Sequence, residues 1–264
     1  MNAQPTDRRP AGWKHFVVIG CEVLFREVCF LSASCPHRLD HVWLSQGLHD
    51  LGTEKMRTHI QAAVDAVPTG ACDAICLAFA LCNNGIVGLE ARDIPLVVPK
   101  DHDCITLFLG SRERYREHFD AAPGTYYLTS GWLERDDSEV TGEEGQSIFE
   151  RLGLDFGARE LRERYGEENA AYVAEMLGGM LRHYSRIAYI DMGFEDGLGF
   201  RDVARRAAVE RGWEFELVRG DLGLLRRLLW GEWDEDMLVV RPGERIEATF
   251  DEDLVRAAPA ASRG

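Results

Sequence analysis

The segment CDAICLAFAL, residues 72–81, decides the fold, because every residue after Asp73 is apolar. A strand with one face in solvent alternates polar and apolar residues, whereas a strand covered by helices on both faces is apolar throughout. Two further segments have the same character, HFVVIG at 15–20 and IPLVVP at 94–99. Together these segments predict the strands of a buried, largely parallel sheet.

Amphipathic segments separate the strands and predict the helices of an α/β fold. Helices are expected over 22–33, from the capping residue Thr53 to about Val67, and over about 104–119. The pattern returns late in the chain, with helices at about 200–211 and 222–230. Further strands are expected at HVWLSQ (41–46), TYYLTS (125–130), RIAYIDMG (186–193), WEFELV (213–218) and DMLVV (236–240).

The order of these segments predicts a single domain over 13–250, made of two α/β lobes. The first is a Rossmann-like parallel-sheet lobe at about 13–133, and the second is a smaller lobe at about 185–245, with a helical connection between them. The acidic, turn-prone ERDDSEVTGEEGQS at 134–147 precedes that connection. Residues 1–12 and 251–264 are expected to be disordered, because they contain few apolar residues that could be buried.

The composition restricts the partners. Asp and Glu number 45 against 30 Lys and Arg, which gives a formal net charge of −15. A surface this acidic repels phosphate backbones and anionic lipids, so neither nucleic acid nor a membrane is expected as a partner. The N-terminal apolar run FVVIG is too short for a signal peptide or a membrane span, which predicts a cytoplasmic protein. There, the seven cysteines are expected to be reduced.

Three cysteines follow three predicted strands: Cys21 after FVVIG, Cys82 after CLAFAL and Cys104 after LVVPKDHD, with His102 two residues earlier. The carboxyl ends of parallel strands meet at one edge of a sheet, where ligands bind. Each cysteine also adjoins a predicted helix start, where the helix dipole lowers the pKa of a thiol. Three thiolates and an imidazole suit tetrahedral zinc, and three thiolates alone would hold a cubane iron–sulfur cluster. Cys104 and His102 are also the candidate catalytic residues.

Nearby residues are candidates for accessory roles. The turn Asn83-Asn84-Gly85 suits close approach of the backbone to a cofactor, and His49 in QGLHDLG is placed to reach the same edge. Glu22 could act as a base or as a partner of a ligand, although a glutamate there also favours a helix start.

The remaining cysteines have simpler interpretations. Cys29, Cys72 and Cys76 lie within a predicted helix or an apolar strand and are expected in the core. Cys35 and His37 could chelate a metal or lie in an ordinary loop. The same core interpretation applies to each strand-end cysteine taken singly, so the prediction of a site depends on their shared position.

Several segments resemble domain-of-unknown-function family 1638, a bacterial and archaeal group. The likeness covers about 15–240 and is most specific at HDCITLFLGS. The family's turn after the second cysteine reads CGNG or similar, whereas this chain has Asn83 in place of the glycine. Members are often encoded near corrinoid-dependent methyltransferases, so the resemblance implies methyl-group metabolism and a corrinoid protein or methyltransferase as partner. It rests on CEVLFRE (21–27), QGLHDLG (46–52), LCNNGIVGL (81–89), VPKDHDCITLFLGSRERY (98–115) and GTYYLTSGW (124–132).

Three functions are open at this point. The first is a metalloprotein with zinc or an iron–sulfur cluster between its lobes, which transfers a methyl or similar group of a small-molecule substrate. The second is a carrier that delivers a corrinoid or a metal without catalysis. The third is a metal-free enzyme with Cys104 as nucleophile, because a spacing of two places Cys104 and His102 on one face of an extended segment.

Overall fold

The computed structural model describes residues 10–82, 84–134, 166, 169, 183–249 and 253–260. They form a mixed α/β fold with a mostly parallel central sheet, as the sequence predicts. The chain divides into two compact units, Met1–Leu107 with Gly223–Gly264, and Phe108–Leu222. Within the part of the chain described, no helix is long and apolar enough to cross a membrane.

Strands and helices alternate along most of the described chain. The strands are β1 (His15–Cys21), β2 (Arg38–Leu44), β3 (Ala74–Ala78), β4 (Leu96–Pro99), β5 (Thr125–Leu128), β6 (Arg186–Asp191), β7 (Glu214–Arg219), β8 (Met237–Val240), β9 (Glu244–Ala248) and β10 (Val255–Pro259). The α-helices are α1 (Phe25–Ser32), α2 (Thr53–Asp65), α3 (Cys104–Leu109), α4 (Arg112–Ala121), α5 (Ser130–Glu134), α6 (Phe200–Arg211) and α7 (Gly223–Leu229). The 3-10 helices Glu22–Leu24 and Gln46–Leu51 lie before α1 and α2.

The sheet of the first unit has the strand order β2-β1-β3-β4-β8. Its first four strands are parallel, and β8 runs antiparallel to β4. All residues of β3 and β4 are buried, as is β1 from Phe16 onward. Helix α7 packs on β3 and β4, and α2 packs against β1. The continuous apolar runs of the sequence therefore correspond to strands covered by helices.

The second unit contains the parallel sheet β5-β6-β7. Its core packs Leu128, Ile187 and Tyr189 of the sheet against three alanines of α6. The alanines, at positions 204, 207 and 208, recur at helical spacing, so this face of α6 is flat and lies close to the strands.

The structure groups the strands differently from the lobes expected at about 13–133 and 185–245. Strand β5 pairs with β6 of the second unit, while β8 and α7 belong to the first. An apolar pattern identifies a strand from a local run of residues, but the choice of neighbour depends on contacts distant in sequence.

Two local expectations are corrected as well. The tail from 251 onward, expected to be disordered, includes β10, which pairs antiparallel with β9. The helix expected over about 104–119 is divided into α3 and α4 at Gly110, which has a φ of 83°. Ser111 then caps α4 by accepting a hydrogen bond from the backbone N–H of Arg114 at 3.2 Å.

Candidate functional site

The carboxyl ends of β1 and β3 form the topological switch point of the first sheet. From β1 the chain crosses to β2 on one side, whereas β3 lies on the other side of β1. In open α/β sheets, ligands bind in the crevice outside the strand ends at such a point. Cys21 is the last residue of β1, and Cys82 lies four residues beyond the end of β3.

Backbone hydrogen bonds bring the segment after β3 beside the segment after β4. The N–H of Leu81 donates to the carbonyl of Asp101 at 2.8 Å, and the N–H of Cys82 donates to the carbonyl of His102 at 3.1 Å. Cys104 is the first residue of α3, and Asp103 caps that helix by accepting from the N–H of Ile105 at 3.0 Å. The strand pairing therefore continues past the ends of β3 and β4, toward Cys82 and Cys104.

Cys21, Cys82 and Cys104, called here the thiol cluster, are all buried, with exposed fractions of 3%, 8% and 7%. Burial raises the pKa of Cys104 well above its ordinary value, and negative charge on Cys82, Asp103 and Cys21 raises it further. Burial likewise raises the pKa of Cys21 to about 12, and charge on Cys82 adds to the effect. The three thiols therefore lie close enough for the ionisation of one to oppose that of another.

The expectation of depressed thiol pKa values is wrong for the polypeptide alone. Burial also raises the pKa of Cys82, to about 11. Desolvation of a buried thiolate outweighs the field of a helix start, and α3 is only six residues long. Without a positive charge nearby, the thiol cluster is protonated at neutral pH.

The turn after β3 has an unusual backbone. Cys82 and Asn84 have positive φ angles of 43° and 63°, a region that side chains other than glycine seldom adopt. The N–H of Gly85 donates to the carbonyl of Leu81 at 2.8 Å, which closes the turn. A Cβ at Gly85 would lie 2.4 Å from the sulfur of Met56, so close packing on α2 accounts for this glycine. Asn83, expected to contact a cofactor, lies outside the described residues.

Glu22 and the two candidate histidines take separate positions. The carboxylate of Glu22 accepts a hydrogen bond from the N–H of Gln46 at 3.0 Å, which fixes the start of the 3-10 helix Gln46–Leu51. His49 belongs to that helix, and its side chain lies outside what the structure describes. The imidazole of His102 is exposed, whereas the thiol cluster is buried. The thiols of Cys21, Cys82 and Cys104 thus interact electrostatically within the protein, whereas His102 lies at the surface.

The thiol cluster has not adopted the geometry of a metal site. Within residues 10–134 and 183–260, apart from the short gaps, no group of three or more His, Cys, Asp or Glu side chains is arranged to hold a metal ion. Ligation by the thiol cluster would require its side chains to rearrange.

Cys35 and His37, the second candidate chelating pair, bind the end of α7 instead. Cys35 Sγ donates to the carbonyl of Leu229 at 3.5 Å, and His37 Nε2 lies 3.0 Å from the carbonyl of Trp230. Buried Cys76 donates to the carbonyl of Leu228 at 3.6 Å. The last carbonyls of a helix lack partners within the helix, so these contacts give all three side chains a structural role.

Two buried acids near the thiol cluster in sequence were not singled out by sequence reasoning. Glu27 in α1 is fully buried, and Asp101, three residues before Cys104, is 2% exposed. Glu27 lies on the helix face that buries Val28 and Leu31. A charged residue on the apolar face of a predicted helix was the signal that could have identified it.

Residues 43–229 match the family described as "Protein of unknown function (DUF1638)". The chain belongs to the DUF1638 family. The match includes Cys82 and Cys104, whereas Cys21 lies before its first residue. Neither the curated proteins nor the solved structures include a match to this DUF1638 chain.

Proposed function

We propose that this DUF1638 protein binds a thiophilic metal, as zinc or as an iron–sulfur cluster, through Cys21, Cys82 and Cys104. The observation that carries the proposal is the burial of three thiols at the switch point of a parallel sheet, where charge on Cys82 raises the pKa of both Cys21 and Cys104. A core that needed only small apolar side chains would not require three sulfurs at this position.

The chemistry of the donors supports a soft metal. Thiolates are the ligands preferred by zinc and by iron–sulfur clusters. Protons held by the buried thiols would leave on binding, because a coordinating thiol is deprotonated.

We further propose that the reaction, in the cytoplasm, transfers a methyl or similar group between a corrinoid protein and the thiol of a small-molecule substrate. A thiolate-bound metal supplies Lewis-acid activation of a thiol or corrinoid-linked substrate. His102 is exposed and lies two residues before Cys104. Its proposed role is to carry protons between this segment and solvent. Glu22, whose carboxylate accepts a hydrogen bond from the N–H of Gln46, is the candidate base.

The metal-free alternative has less support. A nucleophilic cysteine needs a substantial thiolate fraction, and burial raises the pKa of Cys104. It also leaves Cys21 and Cys82 without a role.

Metal and acid-labile sulfide analysis of protein purified without oxygen tests the proposal. We expect about one equivalent of zinc, or iron with sulfide and a visible absorption band. Cys82→Ser should lose this content, whereas the control Cys72→Ser, at a partly exposed thiol outside the cluster, should keep it. A content below about a tenth of an equivalent in the unmodified chain, or equal content in the two variants, would contradict the proposal.

A further inference from the structure

A cavity of about 690 Å³ lies in the second unit, at the carboxyl ends of the neighbouring parallel strands β6 and β7. The lining residues that the structure describes belong to that unit. Its volume is within the range of sites for small organic molecules. Met192, Leu217 and Leu222 give it an apolar wall, and Leu217 is 47% exposed.

Hydrogen bonds hold the two strand ends together beneath this cavity. The N–H of Gly220 donates to the carbonyl of Asp191 at 2.8 Å. The Asp191 carboxylate accepts from the N–H of Gly193 at 2.9 Å and also pairs with Arg201. A Cβ at Gly220 would lie 2.1 Å from the sulfur of Met192, so a larger residue there would displace the Met192 side chain. The ion pair with Arg201 and the hydrogen bond from Gly193 offset the negative charge of the Asp191 carboxylate.

The loop after β6 is anchored from within the unit. Glu195, with 7% exposure, accepts hydrogen bonds from the hydroxyls of Ser130 and Tyr189, the second at 2.6 Å. A buried carboxylate with a hydrogen bond to each of its oxygens fixes the loop that follows Gly193. The cavity wall is therefore held in shape before anything binds.

Arg219 contributes a positive charge to the lining of the cavity. Its backbone carbonyl accepts from Arg114 at 2.7 Å, whereas its exposed guanidinium has no hydrogen bond or ion pair with the residues that the structure describes. Asp221, two residues later, lies against Gly110, because a Cβ there would be 2.7 Å from the Cβ of Asp221. An arginine that lines a cavity and pairs with none of the acidic residues that the structure describes favours a ligand with negative charge.

We propose that this cavity binds a small organic anion, with a carboxylate or a phosphate ester on Arg219 and an apolar part against Met192, Leu217 and Leu222. The planar guanidinium matches both kinds of anion through two parallel hydrogen bonds. The proposal is independent of the thiol cluster, so the two can fail separately.

NMR titration of the full chain with three probes of similar size tests it: phenyl phosphate, phenylacetate and the neutral benzyl alcohol. At least one anion should bind about tenfold more tightly than benzyl alcohol, because hydrogen bonds to a charged group are stronger. Arg219→Gln should weaken that anion about tenfold and leave benzyl alcohol within about twofold. Arg206→Gln, which removes an exposed arginine of α6 outside the cavity lining, should change neither.

The tighter of the two anions identifies the ligand group as phosphate ester or carboxylate. Equal affinity for all three probes, no binding of any probe, or the same loss in Arg206→Gln and Arg219→Gln would overturn the proposal.

Discussion

Alkylation with iodoacetamide at about pH 8 should distinguish the thiol cluster from the other cysteines, because the thiolate is the reacting species. A thiol with the ordinary pKa of 9.0 is roughly 10% ionised at that pH. The raised pKa of about 11 leaves Cys82 roughly 0.1% ionised, and the value of about 12 leaves Cys21 roughly 0.01% ionised. We therefore expect Cys82 and Cys21 to react about 100-fold and 1,000-fold more slowly in the metal-free folded chain than in the unfolded chain.

Peptide mass spectrometry at successive times measures each rate within one sample. The same protein in guanidinium chloride gives the reference rate for every cysteine. Cys35 and Cys72 are partly exposed and serve as internal comparisons in the folded chain, where they should react before the thiol cluster.

One result would refute the reasoning directly. If Cys104 reacted faster than Cys72 in metal-free protein, burial would not control its ionisation. Cys104 would then be an activated nucleophile, and the metal-free function would replace the metal site.

Three further measurements follow from the structure. As the pH rises above 9, each cluster thiol stays protonated in the folded state while it ionises in the unfolded state. The free energy of unfolding should therefore fall by about 1.4 kcal/mol per pH unit per thiol. Cys82→Ala should make this fall shallower up to about pH 11, and an unchanged slope would contradict the raised pKa of Cys82. Glu195→Ala should lower the free energy of unfolding in urea by roughly 2–4 kcal/mol, because it leaves the buried hydroxyls of Ser130 and Tyr189 without their acceptor. If the control Glu210→Ala, at an exposed position, lowered the free energy of unfolding as much, this role of Glu195 would be refuted. Glu22→Ala should increase amide exchange at Gln46 about tenfold, whereas Glu22→Gln, which keeps an acceptor oxygen, should change it less; equal exchange in both variants would argue against the anchor.

The sequence predicted that Cys21, Cys82 and Cys104 lie at or after strand ends, but it did not predict the direction of their pKa shifts. Cys21, Cys82 and Cys104 could be placed together because each follows a continuously apolar strand, and parallel strand ends share an edge. The direction of their pKa shifts could not be predicted, because burial is set by side chains distant in sequence. His102 shows the same limit, since its two-residue spacing from Cys104 does not reveal that its imidazole is exposed.

Strand neighbours were the other limit. The segments that became β5 and β8 are recognisable as strands, yet their sheets are exchanged relative to the expected lobes. In β10, VRAAP has little of the apolar character that marks a strand, and pairing with β9 makes it one. Pairing across a sheet supplies hydrogen bonds that a local propensity does not record.

The hydrogen bond from the Asp221 N–H to the Phe108 carbonyl, at 2.9 Å, has a consequence for biosynthesis. It joins the first residue of the second unit to its next-to-last residue, so the two ends of that unit lie next to each other. On the ribosome, residues 108–222 emerge as a contiguous insertion that can fold while the first sheet still lacks α7 and β8. The sheet of the first unit is therefore completed only after the whole second unit has been synthesised.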